Sequence, residues 1–289
     1  MQPLRLQKEF DLLYEKEFLL PGDKQQDIQI NKHEHEIWAK VFWRRRFRHA
    51  KREDPELQFV FQQNPSTLLE IGAGYGRVLR KLVERNGGNK KMRSIQGIDI
   101  CEHFAPYFHL YKTEYPSLRN VEMIYDNFLE SQKLKENSCD IILLPMNTIP
   151  SFSIDLLKTL FITVGRYLTK DGMFLFSNYK IPDKERVSAL INRRQGHSGE
   201  LLLELGSGFI AAEYYDLPAR KTEYGAYNVT YARYNTFSRD NTLQKKELFR
   251  SQTEFILHQH LQKIIETCGL SIEIFDDTSH SFTYGLTKQ

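Results

Sequence analysis

The sequence predicts an α/β fold: a doubly wound, mostly parallel sheet covered by helices on both faces. Three observations predict it. Short apolar strands alternate with helical stretches from residue 66 onward. A glycine-rich turn, Gly72-Ala73-Gly74-Tyr75-Gly76, directly follows the first of those strands. Three successive strand segments close on acids, at Glu70, Asp99 and Asp126. Repeated strand–helix–strand units bury both faces of a parallel sheet.

Residues 1–63 read as a helical N-terminal cap. Ile37, Trp38, Val41 and Phe42 recur at helical spacing, and Pro55 and Pro65 bracket a short connection. Residues 64–180 read as the core. Thr67–Ile71 is β-rich; Val78, Leu79, Leu82 and Val83 form a helical stripe that stops at Gly87-Gly88. Ser94–Ile100 and Val121–Tyr125 are strand segments, and Ile141–Leu144 is fully apolar, as a central parallel strand should be. Leu156–Leu168 reads as a helix closed by the turn pair Asp171-Gly172, and Met173–Ser177 as a fifth strand.

After Tyr179 the alternation stops. Residues 183–195 look helical, and 200–250 are rich in Tyr and β-formers with turn residues between, which predicts an antiparallel β lid insert over 181–250. Residues 251–289 return to the core. Ser251-x-x-Glu254 has the form of a capping box opening a helix through Leu257, Leu261, Ile264, Ile265 and Cys268, closed at Gly269. Ser271–Phe275 and Ser281–Thr287 then read as a C-terminal antiparallel hairpin.

Composition narrows the function classes. The chain has 289 residues, 40% hydrophobic and 27% charged, which suits a globular protein with a core large enough to need no covalent staples. The longest clean apolar stretch, Ile141–Met146, is strand-sized, so no membrane span is expected. The N-terminus alternates charged and apolar residues, unlike a secretory signal. Cys101, Cys139 and Cys268 are too sparse for a disulfide framework or thiolate zinc site, which suggests reduced cysteines and a cytoplasmic location. His33-x-His35 and His258-x-His260 place their rings on different helix faces, so no metal is expected. A net charge of +3 does not by itself argue for nucleic acid. The charge is uneven, however: Lys40, Arg44, Arg45, Arg46, Arg48, Lys51 and Arg52 fall within 13 residues.

The glycine turn carries the chemistry. Strand, glycines and helix in succession let a backbone approach a ligand closely and aim free N–H groups at it. The spacing is not the dinucleotide G-x-G-x-x-G, because the third glycine comes one residue early and Arg77 stands where that pattern has Gly. The phosphate-binding G-x-x-x-x-G-K-[ST] of nucleotide hydrolases is absent. An acid 23 residues after Gly76, Asp99, ends the second strand, where a carboxylate can accept from ribose hydroxyls.

Glu70-Ile71-Gly72-Ala73-Gly74-Tyr75-Gly76 resembles the E-x-G-x-G-x-G of class I S-adenosylmethionine-dependent methyltransferases, and Gly97-Ile98-Asp99-Ile100, Ile124-Tyr125-Asp126-Asn127-Phe128 and Leu144-Pro145-Met146-Asn147-Thr148 are similar to their next three stations. The resemblance implies a Rossmann-like, seven-stranded sheet and S-adenosyl-L-methionine as cofactor. It implies a binding set of Glu70, Gly72, Ala73, Gly74, Gly76, Asp99, Ile100, Asp126, Asn127, Phe128, Pro145 and Met146. Within it, Asp126 would meet the adenine amine, Asn127 would offer its backbone, Phe128 would pack nearby, and the Pro145-Met146 exit would lie beside the methyl group. The cap and the insert are similar to small-molecule methyltransferases of the glycine N-methyltransferase kind. That implies N- or O-methylation of a small-molecule acceptor, with a homo-oligomer compatible. Two alternatives stand beside it: a protein or RNA methyltransferase using the basic helix 40–52, and a non-catalytic cofactor-binding regulator. The insert tyrosines, Tyr214, Tyr215, Tyr224, Tyr227, Tyr231 and Tyr234, suit half-buried strands, with one or two left to face an acceptor.

Overall fold

The computed structural model describes residues 24, 28–29, 35–47, 54–86, 92–146, 148–180, 185, 196–205, 207–217, 219–277 and 281–289. In chain order these give β1 (Ile28–Gln29), α1 (Glu36–Arg44), α2 (Glu56–Gln63), β2 (Thr67–Ile71), α3 (Arg77–Asn86), β3 (Ser94–Asp99), α4 (Ala105–Glu114), β4 (Glu122–Tyr125) and β5 (Cys139–Leu144). There follow α5 (Ile154–Tyr167), β6 (Leu168–Tyr179), β7 (Gly196–Leu205), β8 (Gly208–Asp216), β9 (Arg220–Lys221), β10 (Gly225–Ser238), β11 (Leu243–Ile256), α6 (His258–Thr267), β12 (Leu270–Asp277) and β13 (Ser281–Lys288). Among the described residues no helix is long and apolar enough to cross a membrane.

The described residues form two compact units, divided near 32, 185 and 253. The larger holds a seven-stranded sheet in the order β4-β3-β2-β5-β6-β13-β12. The first five strands are mutually parallel, and β13 and β12 join antiparallel. Chain direction across the sheet reverses between β2 and β5. In doubly wound sheets that reversal opens a crevice at the carboxyl edge, where ligands bind. Leu69, Ile98, Ile142, Leu143 and Leu144 are completely buried, as expected for central strands covered on both faces.

Local chemistry sets two helix ends, and a distant carboxylate ties two strands. Asn64 takes a left-handed φ of 50° and ends α2. Ser153 Oγ accepts from the Leu156 amide and opens α5. At the amino edge, Asp140 Oδ2 accepts from the Ser66 and Thr67 amides at 2.8 and 3.0 Å, tying the start of β2 to β5. The α1 helix is covered more widely than a single stripe: Ile37, Ala39, Val41 and Trp43 are buried, and Trp38 and Phe42 pack half-buried beside them.

Four sequence readings change. Ser251 and Glu254 do not cap a helix, because β11 runs through them to Ile256 and α6 begins at His258. Ser251 Oγ instead donates to the Thr230 carbonyl on the neighbouring strand; ladder pairing outcompetes the local cap. Residues 28–29, read as helical, pair in parallel with Leu248 and Phe249. Asp171-Gly172 is no free turn: β6 starts at Leu168, and residues 169–172 bulge between the Leu168 and Met173 pairings to β5. Helix α5 accordingly ends at Tyr167 rather than Leu168. The helix expected over 183–195 lies outside the described residues, apart from Glu185.

The smaller unit is a six-stranded sheet, ordered β1-β11-β10-β8-β7 with β9 beside β10. Leu217, Tyr227, Val229, Tyr231 and Leu248 make its core. Tyr234 is also buried, and its hydroxyl lies 3.3 Å from that of Tyr214. Three of the insert tyrosines are therefore core residues of this sheet.

Candidate functional site

The site grows from the turn between β2 and α3. Gly72, Gly74 and Gly76 have φ of 71°, 57° and 87°, all in the left-handed region that L side chains avoid. The Gly72 and Ala73 amides both donate to the Ile98 carbonyl, at 2.8 and 3.2 Å, which pins the turn to β3. The three glycines differ in surroundings. A side chain on Gly76 would strike the Phe108 ring at 2.8 Å, and one on Gly74 would touch Phe104 at 3.7 Å. One on Gly72 would enter open space. Of the three, Gly72 is thus the position where bare backbone faces a volume free of atoms of the described residues. Gly97 on β3 is equally constrained, since an added Cβ would lie 2.7 Å from that of Ala73. It supplies the close strand–turn approach that a third fingerprint glycine would otherwise provide.

Asp99 braces the turn. Its Oδ2 accepts from the Gly74 amide at 2.7 Å and its Oδ1 from the Cys101 amide at 2.8 Å. Burial pushes its pKa up to about 6 against the pull of those two amides. Each oxygen has further acceptor capacity, so the same carboxylate can hold the turn and also receive hydroxyls. Ile100, the next residue, leaves a large apolar side chain 43% exposed on the same edge.

Glu70 is 2% exposed, and its Oε2 meets no donor. Burial drives its pKa well above the carboxylate range, while the nearby charge of Arg77 pulls the other way. Arg77 itself is held by Asp54 in a buried fork, Nη1–Oδ2 at 2.7 Å and Nη2–Oδ1 at 2.5 Å, with Lys81 Nζ on Oδ2 at 2.7 Å. Burial alone would raise the Asp54 pKa, but the hydrogen bonds and charges of Arg77 and Lys81 outweigh it and hold the carboxyl low. Glu56, two residues on, is completely buried, and burial raises its pKa in the same neighbourhood.

The third strand's corner is turned inward on its own loop. The Asp126 amide donates to the Asp99 carbonyl at 3.0 Å, joining the two strand ends. Asp126 Oδ1 accepts from the Asn127 amide at 2.9 Å and Oδ2 from Ser131 Oγ at 2.8 Å. Phe128 is buried against the Tyr167 ring, 5.7 Å between centroids. At the fourth strand's exit Pro145 is buried, and Met146 takes a left-handed φ of 68°. A left-handed non-glycine residue is a form of strain that concentrates at ligand sites. Asn147 lies outside the described residues.

The fold therefore gathers Glu70, the glycine turn, Asp99, Ile100, the Asp126 corner and the Pro145-Met146 exit at the carboxyl ends of four adjacent strands, β4, β3, β2 and β5. Sequence reasoning missed Asp54 and Glu56, which lie in the cap with no motif around them. It also missed Tyr125, whose buried hydroxyl has no partner and whose pKa is raised by burial and by Asp99 and Cys101. The only available signal was its position one residue before Asp126. Of the basic run, Arg46 is already engaged, stacked on Trp43 at 4.2 Å. Arg48, Lys51 and Arg52 lie outside the described residues, as does the side chain of His197.

No protein-family model matches the sequence, and no curated protein matches it. Solved structures do match the fold. A S-adenosylmethionine-dependent methyltransferase from Clostridium acetobutylicum superposes with a TM-score of 0.61 at 12% identity, covering 87% of this chain and 98% of its own. The sugar N-methyltransferase KedS8 from a Streptoalloteichus species gives 0.55 at 12% identity, covering 97% and 93%. CalS10, an amino pentose methyltransferase from Micromonospora echinaspora solved with S-adenosylmethionine bound, gives 0.52 at 10% identity, covering 96% and 97%. The chain thus has the fold of S-adenosylmethionine-dependent methyltransferases.

Proposed function

We propose that this chain is an S-adenosylmethionine-dependent methyltransferase acting on a nitrogen or oxygen of a small-molecule acceptor. One observation carries the reading: bare backbone at Gly72 opens into free volume beside a buried carboxylate, Asp99, at the sheet's topological reversal. The residues fit the cofactor. Gly72 admits a ligand to the backbone, Asp99 has acceptor capacity for the ribose hydroxyls, and Ile100 offers an apolar face to adenine. The unpartnered Glu70 oxygen favours a cationic group nearby. When bound, S-adenosylmethionine supplies an electrophilic methyl group on a sulfonium. The chain's part is to orient: a rigid turn pinned to Ile98 and Asp99 fixes position without needing to donate a proton.

A nicotinamide dinucleotide fits less well, because buried Arg77 occupies the position where its fingerprint needs glycine. The small acceptor rests on the insert, a separate sheet with its own core, and on the sugar methyltransferases among the structures of like fold. Residues 1–63 are assigned as a cap, 64–180 and 251–289 as the cofactor core, and 181–250 as the element that selects the acceptor.

Calorimetry with S-adenosylmethionine, its demethylated product and NAD tests the reading. Saturable binding of the first two, lost in a folded Gly72→Val variant, supports it. Binding of NAD alone, or unchanged affinity in Gly72→Val, overturns it.

A further inference from the structure

Helix α5 is apolar on both of its sides. Its inner face buries Leu157, Leu160, Phe161, Val164 and Tyr167. The opposite face of a surface helix is normally charged and polar. Here that outer face holds Asp155, Thr159, Ile162 and Arg166, all exposed, with Leu156 on its flank. Ile162 is 61% exposed and Leu156 46%. Thr159 adds to the apolar character, because its hydroxyl donates to the Asp155 carbonyl at 3.1 Å and is engaged within the helix.

The four outward positions are spaced by four, three and four residues, the repeat of a coiled-coil seam. Its charges stand at the two ends and have opposite sign. The Asp155 side chain is 96% exposed, and its ion pair with Lys158 is loose at 4.0 Å. Arg166 is held in place from below. Its Nη2 donates to the Tyr167 hydroxyl at 2.7 Å, and its guanidinium lies 4.6 Å from the Tyr167 ring centroid. The Tyr167 hydroxyl in turn donates to the Ser131 carbonyl at 2.7 Å. The guanidinium is therefore pinned to the core, with donors left over beyond a loose contact to Glu136 at 3.8 Å.

An acid at one end, a base at the other and apolar groups between make a seam that complements itself when run backwards. We propose that α5 is a self-association face, on which two copies of this chain pack their α5 helices antiparallel. A two-fold axis level with Leu160 and Phe161 sets Asp155 against the partner's Arg166 and Thr159 against the partner's Ile162, twice each. A two-fold interface requires such self-complementarity, and a parallel pair would instead set like charges together. The antiparallel arrangement also opposes the two helix dipoles. Asp155 and Arg166 are about 16 Å apart along the helix. A face of that length buries less than roughly 1,000 Å², so the dimer is weak and concentration-dependent.

Analytical ultracentrifugation of the full-length protein, from about 10 to about 500 µM, tests the proposal. A reversible monomer–dimer equilibrium is expected. Ile162→Asp should abolish it. Asp155→Arg alone and Arg166→Asp alone should each weaken it about tenfold or more, since each sets like charges together twice. An equimolar mixture of those two variants should dimerise again, because every Arg then meets an Asp across the axis. The three side chains lie on the surface, so the variants should fold, checked by circular dichroism and by unchanged S-adenosylmethionine affinity. A monomer at every concentration overturns the proposal and leaves this face to a different protein. A dimer that survives Ile162→Asp, or a mixture that stays monomeric, overturns it by placing any association elsewhere.

Discussion

Asp54 and Arg77 form a buried two-point ion pair between the segment before α2 and the first residue of α3. The Asp54 side chain is completely buried and that of Arg77 is 4% exposed, so neither charge has water to fall back on. The pair joins residues 23 apart in sequence, and Arg77 directly follows the last glycine of the turn. Removing Asp54 leaves the Arg77 guanidinium desolvated without its fork partner, whereas removing Arg77 leaves Asp54 with Lys81.

Asp54→Ala should therefore destabilise the folded protein by about 3–5 kcal/mol, the cost of an uncompensated buried charge. Asp54→Leu combined with Arg77→Met should recover much of that loss. Urea denaturation followed by circular dichroism measures both. A loss below about 1 kcal/mol for Asp54→Ala would show that water or the Glu70 carboxylate takes over the pairing with Arg77.

Gly72 and Gly76 should separate binding from stability. Gly76→Ala drives a methyl to 2.8 Å from the Phe108 ring at a left-handed φ, so it should lower thermal stability markedly. Gly72→Ala meets open space and carries only the backbone strain, of order 1–2 kcal/mol. Its larger effect should be on cofactor affinity. Equal stability losses with unchanged affinity in Gly72→Ala would move the ligand elsewhere.

Asp99→Asn should weaken cofactor binding by roughly 1.5–3 kcal/mol, the range for hydrogen bonds to a charged group. An amide can accept from only one of the two N–H groups, at Gly74 or Cys101, and turns donors toward the other. The variant should show faster hydrogen exchange at the glycine turn. Wild-type affinity and exchange together would remove Asp99 from the site.

The buried acids set the pH dependence of the unliganded protein. Asp99 holds its proton up to about pH 6 when folded but only to 3.8 when unfolded, and Glu70 is raised in the same direction from 4.5. Between those values the folded state binds more protons, so stability falls as pH rises from about 4 through 6, by roughly 2–3 kcal/mol for Asp99. Asp54 has the opposite sign, and its contribution is lost only as pH falls below the usual carboxylate range. Glu70→Gln should flatten the decline and stabilise the protein at neutral pH. Urea midpoints from pH 4 to 8 measure it, and a profile unchanged by the variant would mean that Glu70 stays ionised.

Tyr231 should report on the insert alone. It is completely buried in the smaller sheet's core, so Tyr231→Ala should cost about 3–5 kcal/mol there. Cofactor affinity should survive while transfer to the acceptor falls. Loss of cofactor binding in a protein whose larger unit remains folded would remove the assignment of acceptor selection to the insert.

The strongest sequence signals were local. Alternating apolar strands, three glycines after β2 and acids at strand ends each follow from nearest-neighbour chemistry, and they locate the larger sheet and the edge proposed to hold the cofactor. The insert's antiparallel sheet was legible from its β-formers and turns for the same reason. Local signals failed where a distant partner decides. Ser251 has a capping side chain, yet the Thr230 carbonyl across the ladder claims it. Ile28 and Gln29 become a strand because β11 offers them an edge. Asp126 and Asn127 stand at the expected corner, but Ser131 and their own loop engage their polar groups. Asp54 has no motif at all, and its role exists only once folding buries it opposite Arg77. The sequence by itself determined the strands of the larger sheet and the glycine turn, because backbone freedom and hydrophobic period are properties of short segments. The tertiary structure decided which acids are paired, which are orphaned and which glycine faces open space, because burial and electrostatics depend on atoms brought together from distant parts of the chain.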